Sequence, residues 1–418
     1  MRLPDKRPRA LTLALTAAGV LVAAALVVGA VLVATGGSDD GGSSAKKSLN
    51  TDFTEPKGFS LDEVYADSGF SCEARDTMCV RKFLVGITGD YGPRASLPVL
   101  ERLQREQRVD LSVNDHDLAH AVGRETAKDF GSNFDAFDLC PTIFNYGCSH
   151  GFFEYVLART DTPKEAATTV CETVSGDENR LLISGFSCYH GVGHGVMMAQ
   201  AYDVQESLNT CNTLPNFPAK EGCWQGVFME NVNAGMSDRA RKGVFSQRDP
   251  LAPCDKVAKK YAYQCFINHS GWLMRVAQNR VEVAAGYCLH VKGKERTACM
   301  QSIGLMATNP VWQAQLSRNA GKKSLSAVAW EICSRFPAAG RENCVVAGVD
   351  NLANFDQLKA DRQESFCAEV TGRLQDGCYE RIGVNLLNRT KDEPTLRSSC
   401  ATLGAKARLC LRGAGVAA

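Results

Sequence analysis

The sequence predicts an all-α fold: a disulfide-stapled, solenoid-like stack of α-hairpins preceded by a single N-terminal transmembrane helix. Three observations predict it. The 18 cysteines of the 418-residue chain fall into nine consecutive pairs at near-regular spacing. Apolar residues recur at three and four after the second cysteine of a pair, the period of a helix face, as in Cys378-Tyr-Glu-Arg-Ile-Gly-Val-Asn-Leu-Leu387. Finally, Ala10–Thr35 contains no charged residue.

The N-terminal elements set the compartment. Residues 1–9 carry Arg2, Lys6, Arg7 and Arg9 against Asp5. The 26 residues that follow, 10–35, rise about 1.5 Å each as a helix and span the roughly 30 Å hydrocarbon layer. A cleaved signal peptide has a shorter apolar region, about 7 to 15 residues, so this stretch reads as a retained signal-anchor. The positive-inside rule then leaves residues 1–9 in the cytoplasm and the bulk of the chain outside the cell membrane. Residues 36–60 are rich in Gly, Ser, Asp and Lys and read as a flexible linker. An even, high cysteine count fits an oxidising extracellular compartment.

The cysteine pairs are 72/79, 140/148, 171/188, 211/223, 254/265, 288/299, 333/344, 367/378 and 400/410, and the gap from one pair to the next is repeatedly 22 or 23 residues. Taking the second cysteine as the mark, with Asn114 in one vacant place, gives a repeat of 32 to 45 residues, enough for two short helices and two turns. Asp161-Thr-Pro163 and Asp392-Glu-Pro394 place a capping acid ahead of a first-turn proline. Bridging nearest neighbours across each corner closes loops of about 11 residues, worth on the order of 2 to 3 kcal/mol apiece if unstrained. The repeat length is that of tetratricopeptide units, but their Trp, Tyr and Pro positions are absent, so only the architecture is inferred.

Two regions result. In 61–235 the repeats carry chemistry. Counted from Asn114, Cys148 and Cys188, a metal-type side chain stands at +2 and +6 every time: His116 and His120, His150 and Glu154, His190 and His194. Five of the seven histidines occupy these slots. Residues at i and i+4 share a helix face, so each pair can clamp an ion, and neighbouring helices about 10 Å apart bring the six groups to one groove. Five imidazoles and a carboxylate suit a transition metal (Zn, Fe, Cu or Mn) over calcium or magnesium. Gly151, Gly191 and Gly226, each at +3, allow close helix approach. In the next unit Gln225 takes +2, Met229 +6 and Glu230 +7, making Glu230 a catalytic candidate, as general base or as an orienter of a ligand. Asp115 and Asp117 are further orienters, and Tyr146 and Tyr189 line the groove or fill core. His269 and His290 lie outside the register and read as structural.

In 236–412 the cysteines persist without the ligands, as expected of a scaffold or partner-binding surface. Asn268-His-Ser270 and Asn388-Arg-Thr390 fit the glycosylation pattern. A net charge of +1 gives no nucleic-acid footprint. There is no phosphate-cradling Gly-rich Lys loop, no Gly-x-Ser-x-Gly elbow and no Cys-x-x-Cys-His haem motif. What remains is an extracytoplasmic, His-rich metal protein. It is either a metal-dependent hydrolase or oxidoreductase acting on an unidentified small molecule, a non-catalytic metal-binding or sensing module, or a scaffold for another envelope protein. Thiolate ligation and a cysteine nucleophile are not expected when all cysteines are bridged.

Overall fold

The computed structural model describes residues 52–417 except 111–114, 142, 145, 161, 163–164, 166–170, 172–185, 237–240, 242 and 357–359. The expected membrane helix, most of the linker and the Asp161 cap therefore lie outside the described residues. Among those residues no helix is long and apolar enough to cross a membrane.

The fold of the described residues is all-helical, with no strand beyond an isolated bridge between Ser246 and Asp249. All nine disulfides join nearest neighbours, and no cysteine is free. A spine of helices, most carrying the second cysteine of a pair, runs the length of the stack. In chain order these are α1 (Thr77–Tyr91), α2 (Asp115–Asp129), α3 (Gly147–Leu157), α4 (Phe186–Ala199), α5 (Phe217–Met236), α6 (Lys259–Ile267), α7 (Gly293–Leu305), α8 (Arg341–Asp356), α9 (Arg373–Leu387) and α10 (Ala407–Gly413). Each packs on the one before it. Shorter helices such as Val204–Cys211, Val281–Cys288, Leu325–Ser334, Asp361–Glu369 and Glu393–Ala401 supply the first cysteine and fold back as the other arm of a hairpin.

Local chemistry explains where the helices begin. Asp392 accepts a hydrogen bond from the Thr395 amide with Pro394 in the first turn, as the sequence predicts. Asp76, Asn133, Asp203 and Ser324 cap four more helices in the same way. The two-helix pattern is not universal. Cys72, Cys140 and Cys254 sit in irregular segments, so their staples tie a loop to a spine helix.

Most of the cysteines are buried in the apolar core, whereas Cys72, Cys79 and Cys140 are half-buried. One core cluster gathers residues from Val64 to Cys148, and a second runs from Ala127 to Ala414 without a break at residue 236. The chemically distinct regions seen in the sequence therefore share one apolar core. Asp52–Ser60, assigned by composition to the linker, is irregular but engaged: the Thr54 amide donates to the Phe130 carbonyl at 3.0 Å, and Lys57 pairs with Asp90 at 3.1 Å. The two glycosylation motifs separate. Asn268 is buried and donates to the Gln264 carbonyl, whereas Asn388 is exposed.

Candidate metal centre

The centre is built where α2, α3, α4 and α5 cross at glycines. A Cβ on Gly151 would lie 1.9 Å from the His120 carbonyl oxygen, and one on Gly226 would lie 2.0 Å from that of His190. Only a hydrogen fits at such contacts, so the glycines let backbone meet backbone. They also fix the register. His120 and His190 are the equivalent residues at their crossings, so the first histidine pair enters one helical turn earlier than an alignment on Asn114 implies. A four-residue slip keeps the same helix face, and the groups still converge.

His116, His120 and His150 place ligand atoms within 4.8 Å of one another; so do His150, His190 and His194, and so do Glu154, His194 and Glu230. The six predicted residues and Glu230 thus form one cluster, buried apart from a half-buried His116. These buried His and Glu groups could hold a metal ion.

The ring nitrogens are assigned by their partners. His116 Nδ1 donates to the Phe144 carbonyl at 2.8 Å, and His120 Nδ1 donates to Glu154 Oε1 at 2.6 Å. In the second pair, His190 Nδ1 donates to Gln225 Oε1 at 3.0 Å and His194 Nδ1 to Glu230 Oε2 at 3.1 Å. A carbonyl or carboxylate can only accept, so each Nδ1 carries its proton and each neutral ring presents a bare lone pair on Nε2. Those lone pairs face each other: the Nε2 atoms are 3.0 Å apart in the first pair and 3.2 Å in the second. Two such lone pairs repel unless a cation lies between them.

That cation can be a proton or a metal, and the pairs differ in this. Burial works against a charged His120, but the Glu154 carboxylate outweighs it and holds His120 above its ordinary pKa, while burial and His120 push His116 down to about 3. One proton on His120 can therefore bridge to His116. Burial pushes both His190 and His194 down to about 3, so at neutral pH no proton serves that pair. His150, buried among the other four rings, is held well below the ordinary range, and its buried Nδ1 has no hydrogen-bond partner.

Ring spacings support coordination. A metal to imidazole bond of about 2.0–2.1 Å puts each ring centre a little over 3 Å from the ion, so ligands between square and tetrahedral angles have centres about 4.5 to 5.3 Å apart. The observed centroid separations are 4.6, 5.2 and 5.3 Å for His116, His120 and His150. For His150, His190 and His194 they are 4.8, 4.7 and 5.1 Å.

Glu154 and Glu230 take matching positions. Each carboxylate accepts from the Nδ1 of the second histidine of a pair, the arrangement that fixes a metal-bound imidazole from behind. The other oxygen of Glu154 accepts from Arg124, and with His120 that contact holds its carboxyl far below the ordinary range despite burial. Glu154, expected as a ligand, accepts from His120 and also lies in the group with His194 and Glu230 that could hold an ion. Glu230, expected as a general base or an orienter of a ligand, accepts from His194 Nδ1. Burial raises the Asp115 carboxyl to about 6. Tyr189 belongs to the apolar core. His269 is buried and donates from Nε2 to the Pro250 carbonyl at 2.8 Å, and His290 is exposed, so neither joins the cluster.

Three partners differ in how far the sequence signals them. Arg124 follows His120 by four on the same face, a spacing that could have found it. Gln225 occupies a known slot. The Phe144 carbonyl is aimed by backbone: Phe144 and Tyr146 adopt left-handed φ values of 55° and 60°, unusual for bulky residues and common where geometry serves a site. No protein-family model matches the chain, and no curated protein or solved structure shows significant similarity to it.

Proposed function

We propose that this chain is a membrane-anchored, extracytoplasmic metalloprotein whose buried histidine cluster holds a mono- or dinuclear transition-metal centre. The observation that carries the reading is the second histidine pair: two Nε2 lone pairs 3.2 Å apart, each on a ring whose Nδ1 proton is committed elsewhere. A buried site arranged this way needs a cation, and imidazole nitrogen suits zinc, copper or iron. The nine disulfides agree with an oxidising location, and the apolar segment 10–35 supplies the anchor.

Among the chemistries such a centre supports, the geometry favours redox work or metal holding over hydrolysis. A metal hydrolase needs a base near the activated water, and here Glu154 and Glu230 each accept from a ligand ring. The residues of this chain therefore hold and orient imidazoles and exclude water, and a bound metal would supply the electron-transfer or Lewis-acid chemistry.

Elemental analysis of the purified full-length chain tests the reading. At least one transition-metal ion per chain is expected, falling by half or more in the His190→Ala, His194→Ala double variant. Metal content well below one ion per chain, unchanged in that variant, would contradict it. Glu230→Gln, which keeps the shape but weakens the acceptor on His194, should lower metal affinity about 10- to 100-fold.

A further inference from the structure

We infer that the centre is dinuclear and that His150 is the ligand common to both ions. This rests on the metal reading above and adds the number of ions and the link between them.

The rings divide into pairs. His116 and His120 form one Nε2-facing pair, and His190 and His194 form the other. Each has its own outer partners, so each is a complete two-nitrogen clamp. The clamps stand apart from each other: the His120 and His194 ring centres are 5.8 Å apart, wider than the spacing within either pair. Two imidazoles alone leave an ion short of the three or four ligands that a zinc, copper or iron site takes from protein.

His150 is the residue within reach of both clamps. It belongs to both histidine groups. Its ring centre lies 5.2 and 5.3 Å from His116 and His120, and 4.8 and 4.7 Å from His190 and His194. It differs from the other four in one further respect. Their Nδ1 atoms are spent on acceptors, whereas the Nδ1 of His150 is buried with no hydrogen-bond partner, on a residue only 4% exposed. An unpaired buried polar atom is costly, and a structure that keeps one at the centre of a ligand cluster is accounted for if an ion completes it.

With both ring nitrogens coordinated, His150 is an imidazolate. Its remaining N–H bond breaks as the second nitrogen to metal bond forms, the proton leaves to solvent, and no electron is transferred. The loss of that proton also reduces the positive charge that two divalent ions bring into a buried site holding Glu154, Glu230 and Arg124.

Copper(II) is the probe, added to the full-length chain after chelator treatment and followed by binding stoichiometry and electron paramagnetic resonance. The expected result is two ions per chain whose spins are coupled, so that the signal at full loading falls well below that of two isolated copper ions. His150→Ala should restore the full uncoupled signal or reduce binding to one ion. His150→Gln keeps a polar side chain in the same space and serves if the alanine variant does not fold. Two uncoupled ions in the wild type, or one ion per chain, overturn the shared ligand while leaving the metal reading intact. No copper bound at all overturns both.

Discussion

The helix pairs α4/α5 and α9/α10 share a backbone and differ in chemistry. At both crossings two glycines interlock. A Cβ on Gly193 would lie 2.2 Å from the Cys223 carbonyl oxygen and one on Gly383 would lie 1.9 Å from that of Cys410; the reciprocal contacts are Gly226 on His190 and Gly413 on Glu380. In each pair the residues two places after the cysteines meet across the groove. In α4/α5 they are His190 and Gln225; in α9/α10 they are Glu380 and Arg412, which form an ion pair. Exposure separates them further: His190 is 6% exposed, whereas the Arg412 side chain is 64% exposed. The repeat is thus a scaffold that places two side chains in contact. What those side chains do depends on their identity and on whether flanking repeats cover them.

Substitutions at the two crossings sharpen the comparison most. Gly193→Ala and Gly383→Ala each drive a methyl into a backbone carbonyl, and each should cost about 3 kcal/mol in chemical denaturation, the upper range for overpacking. Only Gly193→Ala should also lower metal content. If Gly383→Ala lowers it equally, the halves are coupled and the contrast fails.

His269 shows what a buried histidine does outside the groove. Burial pushes it down to about 4, against an ordinary value of 6.5. A base with a depressed folded pKa leaves stability intact above the unfolded value, and that stability is lost as pH falls from about 6.5 towards 4, because the unfolded chain binds a proton that the folded chain refuses. Between pH 7 and pH 5 the wild type should lose about 2 kcal/mol more than His269→Gln, at about 1.4 kcal/mol per unit. Equal slopes in thermal melts would contradict this.

Smaller effects are expected from the partners two places after the cysteines. Gln225→Ala removes the acceptor on His190 Nδ1 and should weaken metal binding about tenfold in a chelator competition. Arg412→Gln breaks an exposed ion pair and should change stability by less than about 1 kcal/mol, with metal binding untouched. A metal effect from Arg412→Gln larger than that from Gln225→Ala would reverse the assignment.

The fold was legible because cysteine spacing is a strong one-dimensional signal. Six of the nine pairs are 10 to 12 residues apart, a separation that suits a tight corner and a local bridge. The clustering of the five histidines was legible for a similar reason: His at i and i+4 on successive helices must share faces. The placement of Asn114 was not, because that unit lacks its cysteine; His120, four residues on, is the true equivalent of His190. The hydrogen-bond partners of Glu154 and Glu230 were not legible either. Whether a carboxylate binds an ion or the ring behind it depends on about 2 Å of side-chain reach, which spacing does not encode. The Phe144 carbonyl carries no side-chain signature, and its aim comes from left-handed backbone in the preceding loop.

The central claim is that facing imidazole Nε2 atoms bind a transition metal. X-ray absorption at the edge of the metal that copurifies with the full-length chain tests it most directly. The expected result is a first shell of nitrogen or oxygen at about 2.0–2.1 Å with outer-shell scattering from at least three imidazole rings per ion. A sulfur shell near 2.3 Å, or fewer than two imidazoles per ion, would contradict it.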